Sequence, residues 1–164
     1  MIFLDRDGTI VKDYPDAYWA NVNTPEFLPG VIECLRELQC QGFSLSVVTN
    51  QYLIGEGIIT EEQYHCFTQQ MVDTLRLHGV EFYSIRCCPH SRSMSCRCAK
   101  PKTGMVEDIL REFPEIDLTQ SLMVGDSVSD VECALAIGIR AYSIGLRLPD
   151  SIYLDSLPEL LKNI

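Results

Sequence analysis

With a formal net charge of −10 on 164 residues, the chain lacks the cationic surface that sequence-independent nucleic-acid binding requires. Its 46% hydrophobic content suffices for one substantial core, and no run of about 18 apolar residues offers a membrane-spanning helix. The expectation is a single domain over residues 1–164, cytoplasmic and monomeric, with neither nucleic acid nor membrane as partner.

In chain order, Ile2-Phe3-Leu4 is an apolar run that ends at Asp5-Arg6-Asp7-Gly8-Thr9, a pattern that predicts a buried strand running into a turn. An aromatic-bearing polar segment follows, with Tyr14, Tyr18 and Trp19 as candidates to contact a substrate. Pro29-Gly30 precedes a helix carrying Ile32, Leu35 and Leu38, and Phe43 to Val48 reads as a second strand ending at Thr49-Asn50-Gln51. Thr60 with Gln63 forms a capping-box pattern, opening a helix on which Tyr64, Phe67, Met71 and Leu75 share one face. Gly79 closes that helix, and Val80 to Arg86 is a third strand. A cysteine-rich loop comes next, then a helix marked by Met105, Val106, Ile109 and Leu110. Ser121 to Val124 is a strand leading to Gly125-Asp126, Val131 to Leu135 a helix, Ile139 to Ile144 a strand, and Leu157 to Leu161 a terminal helix. This alternation is that of an α/β protein with a parallel sheet covered on both faces.

Eight cysteines fall into two groups. Cys34, Cys40, Cys66 and Cys133 are scattered through helical segments and read as small buried hydrophobes. Cys87, Cys88, Cys96 and Cys98 crowd around His90. Three thiolates and an imidazole at this spacing suit a closed tetrahedral Zn²⁺ site, although Cys87 and Cys88 compete for one position. Reduced surface thiols or a disulfide are the other readings, and a reducing compartment disfavours the disulfide.

Ligands of open α/β sheets bind at the carboxyl ends of the strands. Asp5 and Asp7, Thr49 and Asn50, the loop to Lys100, and Asp126 with Asp130 all follow strand-like runs and so can meet in one crevice. Carboxylates with a hydroxyl and a lysine suit a hard divalent cation and a phosphoryl group.

These segments, Asp5-x-Asp7-Gly8-Thr9, Thr49-Asn50, Lys100-Pro101 and Gly125-Asp126-x-x-x-Asp130, resemble the four motifs of the haloacid dehalogenase superfamily of phosphatases. Cys88-Pro89-His90 and Cys96-x-Cys98 narrow the resemblance to the zinc-containing branch that holds heptose-bisphosphate and histidinol-phosphate phosphatases. The resemblance implies a three-layer Rossmann-like fold with a mostly parallel central sheet, a minimal cap and a zinc-stapled loop. It implies Mg²⁺-dependent hydrolysis of a small phosphorylated metabolite through an aspartyl-phosphate. Asp5 is then the nucleophile, Asp7 the general acid and base, and Thr49, Asn50 and Lys100 the groups that bind the phosphoryl oxygens. Mg²⁺ falls to Asp5, the Asp7 carbonyl and Asp126, with Asp130 behind them orienting the metal or Lys100; Zn²⁺ falls to Cys88, His90, Cys96 and Cys98.

Relatives in this branch usually carry arginine where this chain has Ala99, and again in the loop where it has Glu56. Arg97 is the nearby cation that could reach in from the other side of Cys98. The rival readings are a receiver-like phospho-acceptor domain without turnover, a zinc-stapled interaction module and a polynucleotide phosphatase. The order of the acidic motifs fits the first poorly, the intact motif residues count against the second, and the net charge disfavours the third.

Overall fold

The computed structural model describes residues 1–164. Six strands form one sheet: β1 (Ile2–Leu4), β2 (Leu45–Asn50), β3 (Ser84–Cys88), β4 (Leu122–Gly125), β5 (Arg140–Ile144) and β6 (Ser151–Leu154). Their order is β3-β2-β1-β4-β5-β6, and every neighbouring pair is parallel. The chain first winds outward from β1 to β3 and then returns to place β4 against the other side of β1. That reversal is the topological switch point at which open α/β sheets bind ligands.

The alternation of side chains along β1 divides the core. Ile2 and Leu4 face a cluster of 24 buried residues, and Phe3 faces a second cluster of 12. The first layer is built by α2 (Val31–Cys40), α4 (Glu61–Leu77) and a terminal 3₁₀ helix (Leu157–Lys162). The second is built by α5 (Gly104–Glu112) and α6 (Val128–Ala136). Each fully buried leucine or phenylalanine contributes roughly 1.5–3 kcal/mol, so both faces of the short central strand are well anchored. The capping box opens α4 as its sequence requires: Gln63 N–H donates to Thr60 Oγ1 at 3.0 Å and Thr60 N–H to Gln63 Oε1 at 2.8 Å.

Connections over the carboxyl edge are short. Residues 5–30 contain the single-turn helix α1 (Asp16–Trp19), and α3 (Tyr52–Gly55) lies between β2 and α4. These segments form the minimal cap. No helix is long and apolar enough to cross a membrane.

Several expectations are corrected. β2 and β3 begin later than their apolar runs, because Phe43 N–H and Val80 N–H bond to Leu38 and Leu75 carbonyls and close the preceding helices. Cys40 and Cys66 are exposed while Cys34 and Cys133 are buried. Cys66 sits on the outer side of α4, next to inward-facing Phe67, and Cys40 is the last residue of α2. The final helix is 3₁₀, with Pro158 in its first turn, and β6 was not anticipated.

Candidate active site

Asp5 follows β1 directly, its N–H still in the ladder on the Val124 carbonyl at 2.9 Å. Its Oδ1 accepts from Lys100 Nζ at 2.7 Å. The same ammonium donates to Asp130 Oδ1 at 2.5 Å and to the Val48 carbonyl at 2.7 Å, which uses all three of its protons. Burial works against the Lys100 charge, yet Asp130 and Asp5 outweigh it and hold the ammonium above its ordinary value. For Asp5, burial combines with the charges of Asp130 and Asp7 to push the carboxyl up to about 8 despite Lys100.

Asp130 is itself fixed. Its Oδ2 accepts from Ser127 N–H at 3.1 Å, a capping-box bond of α6, and from Ser127 Oγ at 2.6 Å. Asp126, at the end of β4, is pushed up to about 6 by partial burial and by Asp130. Carboxylate oxygens of Asp5, Asp126 and Asp130 all lie within 4.8 Å of one another. An all-oxygen set carrying this much unmet negative charge fits a hard divalent cation such as Mg²⁺. Gly8 makes the approach of Asp126 feasible: its φ is 78°, and a Cβ there would overlap the Asp126 carboxylate. Gly8→Ala is expected to cost about 1–3 kcal/mol in backbone strain and to raise the Mg²⁺ concentration needed for half-maximal activity, read by thermal melting and a metal titration.

Asp7 points its carboxylate toward Gln51, whose Nε2 donates to Oδ2 at 2.7 Å. Thr49 is buried at 1% exposure, and its Oγ1 accepts from the same Gln51 amide at 2.9 Å, so its own proton is free to donate. Asn50 clasps the backbone of Lys100 from both sides: Nδ2 donates to the Lys100 carbonyl at 3.0 Å, and Oδ1 accepts from its N–H at 2.9 Å. This role in placing Lys100 was not legible from the Thr-Asn pair. A cavity of about 200 Å³ opens above these groups, lined by Asp5, Asp7, Asn50, Lys100, Asp126 and Ser127, with Trp19 and Tyr52 as aromatic walls. Thr49 lies beneath this lining. Of Tyr14, Tyr18 and Trp19, Trp19 lines the cavity. Tyr14 packs edge-on against Trp19 at 5.6 Å, and Tyr18 is exposed.

The cysteine loop resolves its own register. Cys87 and Cys88 alternate across β3, and Cys88 is the one that joins His90, Cys96 and Cys98. Cys88 Sγ lies 3.1 Å from Cys98 Sγ and 3.6 Å from Cys96 Sγ, and His90 Nδ1 lies 3.2 Å from Cys98 Sγ. Ligands about 2.0–2.3 Å from one tetrahedral ion are spaced about 3.4–3.8 Å apart, so three sulfurs and one nitrogen this close fit Zn²⁺. A Cβ on Gly55 would overlap the Ser91 N–H and the Pro89 carbonyl, so α3 packs directly on this loop.

Arg97 does not reach the cavity. Its Nη2 grips Asp108 of α5 at 2.5 and 2.6 Å, and Nη1 donates to the Gly104 carbonyl at 3.2 Å. The charge reversal at Glu56 is met instead by Arg92, which sequence reasoning did not single out. Arg92 donates to both Glu56 oxygens at 2.7 and 2.8 Å, reaches Asp16 at 3.2 Å and lies 4.2 Å over the Tyr52 ring.

The family model described as HAD-hydrolase-like matches residues 97–145. The D-glycero-beta-D-manno-heptose-1,7-bisphosphate 7-phosphatase of Yersinia pestis is 41% identical over 145 residues, covering 84% of this chain and 76% of that protein. The chain belongs to the haloacid dehalogenase-like phosphatases. A probable D-glycero-D-manno-heptose-1,7-bisphosphate 7-phosphatase of Thermoplasma volcanium is 39% identical over 125 residues, covering 76% of this chain and 84% of that one. Among solved structures, D,D-heptose 1,7-bisphosphate phosphatase from B. bronchiseptica, complexed with magnesium and phosphate, superposes with a TM-score of 0.86. It is 25% identical and covers 99% of this chain and 98% of that one. The protein is thus a phosphomonoester hydrolase, and the carboxylate–lysine cluster lies where such chemistry is placed in open α/β sheets.

Proposed function

We propose that this phosphatase removes the 7-phosphate of D-glycero-D-manno-heptose 1,7-bisphosphate through an aspartyl-phosphate on Asp5. The observation that carries the mechanism is the Lys100 ammonium bridging Asp5 and Asp130 beside Asp126 at the end of β1. The substrate rests on the names of the similar proteins from Yersinia pestis and Thermoplasma volcanium.

In this reading an Asp5 oxygen forms a bond to phosphorus as the bond to the leaving oxygen breaks, which divides one difficult displacement into two easier ones. Asp7 gives a proton to the departing oxygen and then takes one from the water that hydrolyses the aspartyl-phosphate. Lys100 and the Thr49 hydroxyl neutralise and orient the phosphoryl oxygens. Asp5, Asp126 and the Asp7 carbonyl hold Mg²⁺, with Asp130 behind them. Bound Mg²⁺ supplies positive charge that offsets the repulsion between carboxylate and phosphate. Zn²⁺ on Cys88, His90, Cys96 and Cys98 is structural, because four protein ligands leave no open position. The catalytic unit is taken as one domain over residues 1–164, a monomer in the cytoplasm, where eight cysteines without a disulfide are at home.

A second reading, hydrolysis of histidinol phosphate, is favoured by Asp13, which lines the cavity, accepts only from Tyr14 N–H and the Trp19 indole, and has no cationic partner, so it suits a cationic distal group. Steady-state kinetics on the two substrates decide between them. Heptose bisphosphate is expected to give a kcat/KM at least 100-fold higher, with the 1-phosphate retained in the product. The reverse preference would transfer the assignment, and equally weak rates on both would remove it.

A further inference from the structure

Arg6 is among the largest fully buried side chains of the protein, with 1% exposure, and the mechanism above leaves it without a task. A buried cation is costly unless its charge is met, so its surroundings are informative. Its Nε donates to Asp7 Oδ1 and its Nη2 to Asp7 Oδ2, both at 2.9 Å. On the far side Nη1 donates to Thr68 Oγ1 of α4 at 3.2 Å. The guanidinium carbon lies 4.9 Å from the Phe67 ring centre, 5.2 Å from Tyr64 and 5.7 Å from Trp19, an aromatic box that stabilises the cation. The Arg6 carbonyl accepts from Ile10 and Val11 N–H at 2.9 and 3.1 Å, so its backbone is held as well.

We propose that Arg6 is the positioning residue of the acid–base step, its fork fixing the Asp7 carboxylate so that Oδ1 carries the transferred proton. A carboxylate oxygen has two lone-pair sites. Oδ2 has both filled, by Arg6 and by Gln51 at 2.7 Å. Oδ1 has one filled, by Arg6 Nε, and keeps the other for a proton. A bidentate fork also fixes the carboxylate plane, which one ammonium cannot do. When the Asp5–phosphorus bond forms and the bond to the leaving oxygen breaks, the proton on Oδ1 passes to that oxygen. The water of the second step returns a proton to the same site. Trp19 forms a wall both of the Arg6 box and of the catalytic cavity, so the fork is braced by a residue the substrate meets.

This inference rests on Asp7 being the acid and base, and the test separates the two claims. The ratio kcat/KM covers only the steps up to loss of the leaving group, and p-nitrophenolate departs without a proton whereas an alkoxide does not. Arg6→Lys, which keeps the charge and loses the fork, is expected to lower kcat/KM on an alkyl phosphate at least tenfold and on p-nitrophenyl phosphate less than threefold. Asp7→Asn is expected to discriminate in the same sense and more strongly. If Asp7→Asn discriminates while Arg6→Lys lowers both substrates alike or neither, the positioning role is overturned and the role of Asp7 stands. Failure of Asp7→Asn to discriminate removes both claims. Should Arg6→Lys not fold, Thr68→Val releases only Nη1. A selective loss of two- to fivefold on the alkyl phosphate is then the expected result, and an equal loss on both or none counts against the proposal.

Discussion

Asp5→Asn is expected to reduce turnover on the order of 10⁴-fold or more while leaving the fold intact, because the amide cannot act as the nucleophile. The geometry makes this a clean substitution. The amide oxygen can still accept from Lys100 Nζ, and that ammonium keeps Asp130 and the Val48 carbonyl as partners. The electrostatics point the same way. Burial and the nearby Asp130 and Asp7 push the Asp5 carboxyl up to about 8 from an ordinary value of 3.8. A carboxyl with a raised value in the folded state contributes stability below pH 3.8, and that contribution is lost as pH rises toward 8. Without added Mg²⁺, the wild-type chain should therefore lose melting temperature relative to Asp5→Asn across this window. Phosphate release and pH-dependent thermal melts check the two halves. Substantial residual turnover in a folded variant would take the nucleophile role from Asp5.

The elements that were legible from sequence are those whose signal is local. Ile2-Phe3-Leu4 is apolar without alternation because β1 lies at the centre of the sheet and is buried on both faces. The four acidic, polar and lysine segments are each short and contiguous, so their order could be recognised. What escaped depends on partners far along the chain. β6 has only four residues, and its outward Ile152 is exposed, so neither length nor pattern marks it. Asn50 lines the cavity, and its amide also grips a backbone 50 residues away, which no local pattern announces. Glu56 read as a lost cation, yet its carboxylate recruits Arg92 from the zinc-candidate loop, 36 residues on. Arg97, a cation close enough in sequence to reach in, is diverted to α5 by Asp108 and the Gly104 carbonyl. Arg6 sits between two aspartates, and nothing local marks it as buried. Its place is set by Tyr64, Phe67 and Thr68 of α4.

Removing Zn²⁺ is expected to lower the melting temperature by roughly 6–20 °C and kcat at least tenfold, with loss of Lys100 placement as the link between the two. The first figure follows from a loss of about 3–5 kcal/mol, well below the 10–16 kcal/mol measured for zinc in isolated fingers, at about 2–4 °C per kcal/mol for a chain of this size. Between Pro89 and Ala99 the other restraints are peripheral: Arg92 on Glu56 and Asp16, Arg97 on Asp108, and Gly55 packed on Pro89 and Ser91, while Ser93, Met94 and Ser95 are exposed and only the Cys88 end is fully buried. Without the ion, the Cys98 and Cys96 sulfurs sit 3.1 and 3.6 Å from Cys88 Sγ with no positive charge to draw them together. Cys98 lies two residues before Lys100, so relaxation of the loop pulls on the backbone that Asn50 clasps. Because Lys100 Nζ is held by three acceptors of its own, displacement of the loop should distort this contact more than abolish it, which sets the tenfold scale for kcat. Cys98→Ser should reproduce both losses without chelator. Metal analysis, thermal melting and kinetics on one preparation provide the check, with Mg²⁺ kept in excess so that its site stays supplied. Restoration by Zn²⁺ alone is the expected outcome. A zinc-free protein that keeps its melting temperature and its kcat would leave the cysteine cluster with no part in holding Lys100.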